Sequence, residues 1–271
     1  MPNVSTLTTE DPVLLVQLSD SHLFAEADGS LLGLKTAQSL QQVIDLVQAE
    51  QPHIDGLLAT GDLTQDGSVE AYQRFRTLTA PLAPFGRWIP GNHDQVAQMR
   101  EAAVQSRLLE PVVDIGNWRI TLLNSAVPHS TPGYLEDDQL QLLAQSLSEA
   151  PDRHHLVCLH HHPVSVGCPW LEPIGLRNAD QLLRRLGQAL RDGPLALGQL
   201  VHQVPVGVQA ARGVAEHQVG GRAGQAEYAL AELGVLVHGK QHLPYAYGQV
   251  FPALAEQPRI LLGLKALRRL Q

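Results

Sequence analysis

Four short apolar runs, each followed by histidine, aspartate or asparagine residues, constrain the fold of this chain more than any other feature. They are too short for stable helices, and amphipathic stretches separate most of them along the chain. Buried strands that alternate with amphipathic helices are typical of a layered α/β fold, and we predict that class here. The four runs are Val13–Leu18, Leu57–Thr60, Trp88–Pro90 and Leu156–Leu159.

The remaining elements are predicted from their apolar spacing. A helix after Lys35 would bury Leu40, Val43, Ile44 and Val47 on one face. Three more helices are predicted from an apolar period of 3.6 residues, and one more strand is predicted from a short apolar run. These helices are Ser68–Leu78, Glu136–Leu147 and Asn178–Leu190, and the strand is Arg119–Leu123.

The polar residues behind the four apolar runs are expected to meet at one edge of the sheet. In open α/β sheets, ligands bind outside the carboxyl ends of the strands, where loops carry the functional side chains. Glycine precedes two of the clusters, at Gly61 and Gly91, and it tolerates the tight turns that this placement needs. In chain order the clusters are Asp20 and His22, then Asp62, then Asn92, His93 and Asp94, then His160, His161 and His162.

This set of side chains predicts a site for two divalent ions. Carboxylate, imidazole and amide ligands without thiolate suit Mn²⁺ or Fe²⁺, with Zn²⁺ as an alternative. A carboxylate such as Asp62 has two oxygens and can bridge ions roughly 3.5–4 Å apart, as in two-metal phosphoesterases. Each motif alone is common, since a Gly-Asp pair is usually a turn. Their joint occurrence after successive strands favours the metal site.

Composition excludes several other classes of protein. The net charge of −8 argues against a nucleic-acid-binding protein, which normally presents a basic face. No apolar stretch approaches the length of a membrane span, and the polar start does not resemble a signal peptide. Cys158 and Cys168 form neither a disulfide framework nor a zinc motif. We expect a soluble cytoplasmic protein and make no prediction of its oligomeric state.

Longer stretches of the sequence resemble a known family. Asp20-Ser-His22, Gly61-Asp62 and Gly91-Asn92-His93-Asp94 are similar to the motifs of the calcineurin-like metallophosphoesterase superfamily. His160-His-His-Pro-Val164 and Leu176-Arg-Asn178 resemble the bacterial class III cyclic-AMP phosphodiesterases within it. The resemblance covers about residues 13–186. It implies a sandwich of central sheets flanked by helices, with the metal site at the carboxyl ends of strands.

The resemblance also implies a role for each matching residue. The first ion would be held by Asp20, His22 and Asp62, and the second by Asp62, Asn92 and His160. His160 is preferred to His161 because the family places its histidine directly after the strand. His93 would lie beside the phosphate without binding metal, and Asp94 would orient it. His22, Asp62 and Asn92 would also contact the substrate phosphate.

The implied activity is hydrolysis of 3',5'-cyclic AMP to AMP by a hydroxide held between two ions. Two alternatives stay open. One is another phosphoesterase reaction of the same superfamily, because two-metal chemistry alone does not select the ester. The other is a metal- or nucleotide-binding protein with an incomplete site and no turnover. Trp170 lies in a stretch typical of the phosphodiesterases, and we expect it to pack in the core.

The last 85 residues depart from the family pattern. Residues 1–186 hold 22 acidic against 11 basic residues, whereas residues 187–271 hold 5 against 8 and carry 12 of the 23 glycines. The family has a Gly-His-x-His motif where this chain has Gly198-Gln-Leu-Val-His202. His202 is therefore the one candidate metal ligand in this part, which should complete the domain of residues 1–186. We hypothesise that an altered reading frame produced residues from about 187 onward.

Overall fold

The structure of the chain is a computed structural model. It describes residues 13–51, 53–166, 168–192, 197–201, 260–263 and 268–270, with side chains described as far as residue 189. Within this part of the chain, eleven strands and five α-helices are arranged around two main sheets and a small two-stranded one.

The first half of the chain alternates strands and helices. Buried strands of four to six residues are separated by helices whose apolar residues recur every three or four positions. Its elements are β1 (Val13–Leu18), β2 (Ser30–Leu31), β3 (Leu34–Lys35), α1 (Thr36–Glu50), β4 (Gly56–Thr60), α2 (Val69–Thr79), β5 (Gly86–Ile89) and α3 (Val96–Ala102).

The second half begins with a β-hairpin and then returns to alternation. Its elements are β6 (Val112–Ile115), β7 (Trp118–Leu122), α4 (Asp137–Glu149), β8 (His154–Cys158), α5 (Ala179–Asp192), β9 (Leu197–Val201), β10 (Ile260–Gly263) and β11 (Arg268–Leu270). A short 3₁₀ turn, Glu172–Ile174, lies between β8 and α5.

The two main sheets bring the carboxyl ends of their parallel strands toward the same region. The first sheet has the order β11-β1-β4-β5, and β1, β4 and β5 run parallel. The second has the order β6-β7-β8-β10-β9, in which β7, β8, β10 and β9 run parallel. Strands β9, β10 and β11 come from the part of the sequence that departs from the family pattern, and they pair with both sheets.

Three apolar clusters give the layered architecture. One lies between the two sheets and includes Leu15 and Leu58 from the first sheet and Ile120 and Leu156 from the second. A second cluster joins the first sheet to α1, α2 and α3, and a third joins the second sheet to α4 and α5. Each sheet is therefore covered by its partner sheet on one face and by helices on the other, as in a sandwich.

The predicted fold class is confirmed, and most elements lie within one to three residues of their predicted bounds. The strand predicted at Arg119–Leu123 begins one residue earlier, at Trp118. Strands β2, β3 and β6 and helix α3 were missed, because they are short and their apolar residues show no clear period. Strands β9, β10 and β11 were also missed, and they lie in the part of the sequence that departs from the family pattern. The prediction for Trp170 is wrong: its surface is 38% exposed, since it lies in the loop that precedes the 3₁₀ turn.

No helix in the part of the chain that the structure describes is long and apolar enough to cross a bilayer. Residues 202, 217, 238 and 242, which carry the histidines of the C-terminal part, lie outside the described residues.

Candidate metal centre

The loops after β1 and β4 are bonded to each other and place three candidate ligands. The Asp20 amide donates to the Gly61 carbonyl at 2.9 Å, and the His22 amide donates to the Asp62 carbonyl at 3.0 Å. Asp20, His22 and Asp62 all have positive φ, at 55°, 43° and 51°. Non-glycine residues rarely adopt this conformation, and where they do it is often at functional sites. Here these turns bring the three side chains into one site.

The structure brings five of the predicted site residues together in two groups that share Asp62. The candidate ligand atoms of His22, Asp62 and His93 lie within 4.8 Å of one another, and so do those of Asp20, Asp62 and His160. The rings of His22 and His93 meet edge to face with centroids 4.9 Å apart. Four different strands supply these residues, so the site forms only when both sheets are in place.

Asp62 lies at the centre of both groups and is almost fully buried. The His93 amide donates to its Oδ1 at 2.9 Å, and Nε2 of His160 lies 3.4 Å from its Oδ2. Burial opposes ionisation of this carboxyl, but the neighbouring His160, His22 and His93 outweigh it and lower its pKa below the usual range. The carboxylate is therefore a buried negative charge surrounded by imidazoles.

His160 has one ring nitrogen available at the site. Its Nδ1 donates to the Thr60 carbonyl at 2.9 Å, which leaves Nε2 facing Asp62. Burial alone would lower the pKa of His160, but the charge of Asp62 raises it to about 9. A position that attracts a proton so strongly also attracts a metal cation, for which Nε2 of a neutral imidazole is a common ligand.

His161, the alternative ligand, has both ring nitrogens occupied away from the site. Nε2 donates to the Thr131 carbonyl at 3.0 Å, and Nδ1 accepts from the Ser125 hydroxyl at 2.8 Å. Burial, reinforced by the nearby His160, lowers the pKa of His161 to about 3, so this ring is neutral. The geometry thus favours His160 over His161 as the ligand from this triplet.

Asp94 does not have the partners that we expected for it. Its carboxylate accepts the amides of Leu63, Thr64 and Gly91 and the Tyr72 hydroxyl rather than the His93 ring. Burial and the charge of Asp62 raise its pKa to about 6. The expectation that Asp94 orients His93 is corrected: the chain turns back after His93, so the Asp94 side chain points into the core behind the loops.

Two predicted residues remain without a described contact at the site. Asn92 is half-buried at the carboxyl end of β5, directly before His93, and its role as a ligand stays a prediction. His202 lies outside the described residues, so its role also stays a prediction.

The supporting residues were missed because their sequence environment is ordinary. Thr60 acts through its backbone carbonyl, and Ser125 and Thr131 lie in a loop more than 28 residues from His160 along the chain. Tyr72 occupies an apolar position of α2 and was indistinguishable from any other core residue. Gly133 is a further supporting residue. A Cβ at this position would lie 2.4 Å from Nδ1 of His161, so the absence of a side chain makes room for the His161 ring.

The residues present fit divalent ions. All donors in the two groups are carboxylate oxygens or imidazole nitrogens, which Mn²⁺, Fe²⁺ and Zn²⁺ accept as ligands. Glycines bring the loops closer than any side chain would allow: a Cβ on Gly91 would lie 2.2 Å from Oδ1 of Asp62, and one on Gly61 would lie 2.4 Å from Nδ1 of His160. The cluster is thus a concentrated set of donors held by close backbone contacts.

Comparison with known proteins agrees with this site. Residues 13–189 match the calcineurin-like phosphoesterase family, and the chain belongs to that family. The family's metal dependence and two-ion centre agree with the two groups of candidate ligands that share Asp62.

Relatives of known name are cyclic-nucleotide phosphodiesterases. The chain is 56% identical over 178 residues to the 3',5'-cyclic adenosine monophosphate phosphodiesterase CpdA of Pseudomonas aeruginosa, which covers 66% of this chain and 65% of the relative. It is 42% identical over 179 residues to the protein of the same name from Escherichia coli K12, covering 65% of each chain. A 3',5'-cyclic-nucleotide phosphodiesterase of a Nostoc species is 34% identical over 174 residues, covering 63% of this chain and 65% of the relative. The chain thus matches less than two thirds of the length of these relatives.

The close approach at Gly91 generates the first prediction. We expect Gly91→Ala to push Asp62 out of both ligand groups, because the added methyl group overlaps its carboxylate. Affinity for Mn²⁺, measured by titration calorimetry, should fall by about 10–100-fold, and overpacking should cost about 1–3 kcal/mol of stability.

Gly86→Ala is the matched control for this variant. A Cβ there would lie 3.2 Å from the flexible end of Leu108 and at an ordinary contact distance of 3.8 Å from the Leu57 carbonyl, and Gly86 begins β5 at the end opposite the site. Unchanged Mn²⁺ affinity in Gly91→Ala would contradict the close fit that we describe.

Proposed function

We propose that this chain hydrolyses 3',5'-cyclic AMP to AMP with the help of two divalent metal ions. The observation that carries the proposal is the position of Asp62 in both groups of candidate ligands, which suits a carboxylate that bridges two ions. The names of the relatives support a cyclic nucleotide as the substrate. A small molecule of this kind is the one partner that we propose, and a cytoplasmic location stays a prediction.

The ligand assignment is the one that the resemblance to the family implies. Asp20, His22 and Asp62 would hold one ion, and Asp62, Asn92 and His160 the other. The two groups in the structure divide these residues differently, because Asp20 lies with His160 and His22 lies with His93. Fe²⁺ or Mn²⁺ are the leading candidates, with Zn²⁺ as the alternative, because the donor set contains oxygen and nitrogen but no thiolate. When bound, two such ions lower the pKa of a water molecule and offset the charge of a phosphate group.

The side chains of the site would transfer a proton and orient the phosphate group. His93 is half-buried, so its ring is accessible to a substrate, and it lies edge to face against the His22 ring. We assign it the transfer of a proton to the ribose oxygen that leaves phosphorus. We also assign His22 and Asn92 the orientation of the phosphate group, since His22 lies against the His93 ring and Asn92 directly precedes His93 in the chain.

Removal of metal tests the two-ion proposal directly. Dialysis against a chelator should abolish hydrolysis of cyclic AMP, because the proposed reaction depends on both ions. Added Mn²⁺ or Fe²⁺ should restore the activity. Rates should be measured in parallel for cyclic AMP, cyclic GMP and an aryl phosphodiester. Hydrolysis that resists the chelator would refute the metal mechanism, and a preference for the aryl ester would favour another phosphoesterase reaction.

The proposed division of roles predicts different effects for two variants. His93→Ala should lower kcat by about 10²–10⁴-fold, while bound metal, measured by elemental analysis, stays near the wild-type level. Asp62→Ala should lose metal as well as activity, because Asp62 belongs to both ligand groups.

His53→Ala serves as the control for loss of an imidazole. The His53 side chain is 75% exposed and precedes β4 at the end opposite the site. If His93→Ala also lost its metal, His93 would be a ligand in the group with His22 and Asp62, and the proton-transfer role would be refuted.

A second function deserves testing because the family match ends at residue 189. The C-terminal part contains Gln199 where the family has a histidine, and amide oxygen is a weaker ligand for these ions than imidazole nitrogen. A chain with this change would bind metal or nucleotide with little turnover.

Repair of the motif distinguishes the two functions. Deletion of Leu200 combined with Gln199→His recreates Gly-His-Val-His-Gln after residue 197. We expect bound metal to rise toward about two ions per chain and phosphodiesterase activity to rise with it. If the unrepaired protein already holds two ions tightly, the incomplete-site hypothesis is wrong. A repaired protein that gains metal without activity would favour the binding function.

A further inference from the structure

Tyr72 is a fully buried residue of α2 whose hydroxyl group reaches the loops of the metal site from behind. The hydroxyl donates to Oδ1 of Asp94 at 2.9 Å and accepts the amide of Gln95 at 2.8 Å. Its ring lies in the apolar cluster between the first sheet and the helices, together with Phe75. The side chain is thus held by packing at one end and by two hydrogen bonds at the other.

Asp94 connects the two loops that carry the shared ligand and its neighbours. Its Oδ1 accepts the amides of Leu63 and Thr64, at 3.1 and 3.2 Å, directly after Asp62. Its Oδ2 accepts the amide of Gly91 at 2.8 Å, directly before Asn92. Together with the bond from the His93 amide to Asp62, this buried carboxylate therefore sets the distance between the β4 loop and the β5 loop.

The hydroxyl of Tyr72 provides the short side-chain hydrogen bond to this carboxylate. Thr64 also approaches Oδ1 with its hydroxyl, but at 3.4 Å. Hydrogen bonds to a charged group are the stronger ones, and a buried charge that loses a partner is costly. Without the phenol, Asp94 would keep its amide donors and lose the contact that ties it to the rigid helix.

We propose that Tyr72 is a positioning residue for the metal centre. Through Asp94 it holds the β4 and β5 loops at the spacing at which Asp62 serves both ligand groups and the His93 amide reaches Oδ1 of Asp62. Tyr72 itself is fully buried and belongs to neither group of candidate ligands. The inference rests on the proposed metal site but does not depend on which phosphoester is the substrate.

Tyr72→Phe tests the proposal because it removes only the hydroxyl and keeps the ring in the core. Mn²⁺ affinity of the full chain should be measured by calorimetry without substrate, and the melting temperature in chelator. We expect the affinity to fall by about 10–100-fold and the melting temperature of the metal-free protein to fall by only a few degrees.

Thr79→Val is the control on the same helix. It also removes a buried hydroxyl, which donates to the Phe75 carbonyl and has no link to Asp94. A purely structural role for Tyr72 would lower the melting temperature of both variants and leave Mn²⁺ affinity unchanged in both. That result would overturn the proposal.

A double-mutant cycle with Asp94→Asn tests the route of the effect. If Tyr72 acts through Asp94, Tyr72→Phe should change Mn²⁺ affinity much less in the Asp94→Asn background than in the wild type. Equal losses in both backgrounds would overturn the assigned route. Failure of the wild-type chain to bind Mn²⁺ would instead overturn the proposed metal site, and this inference with it.

Discussion

The buried charge of Asp62 is the interaction on which the rest of the site depends. Its carboxylate is 6% exposed and is surrounded by the rings of His22, His93 and His160. A lone buried carboxylate would be strongly destabilising, so the surrounding imidazoles and the His93 amide offset its cost. The sandwich of two sheets makes this arrangement possible, because candidate ligands that follow strands of both sheets lie close to this one carboxylate. Bound metal ions would further offset the cost of burying this negative charge.

The loops around Asp62 are held by contacts between backbone groups and by glycines that admit close approach. Direct bonds join the loops after β1 and β4, and the Asp94 carboxylate joins the loops after β4 and β5. His160 joins the second sheet to the first by donating to the Thr60 carbonyl. The candidate metal centre therefore lies where this hydrogen bond joins the two sheets. Within the two groups, His160 alone follows a strand of the second sheet, so a change in either sheet's position would move His160 relative to Asp62.

The two-ion centre of the family agrees with the candidate ligand groups, but the family match does not include the last part of the chain. The family match ends at residue 189, near the change in charge and glycine content seen in the sequence. Strands β9, β10 and β11 nevertheless pair with both sheets. The match to the family therefore reaches into α5 and ends there, and the proposed activity of the chain has to be tested with the residues after that helix present. This is why metal content and turnover must be measured together.

The sequence by itself determined the fold class and more than half of the elements, and it predicted the set of candidate ligands. Each of these depends on local patterns: apolar runs, helical periodicity, and polar residues at strand ends. The resemblance to the family already favoured His160 over His161, and the tertiary structure supplies a physical reason, which depends on Thr60, Ser125 and Thr131 at distant positions in the sequence. The tertiary structure also revealed that Asp94 faces Tyr72 and the backbone rather than His93. Adjacent residues share a sequence context, but the direction in which the chain turns sends their side chains to opposite sides of a loop.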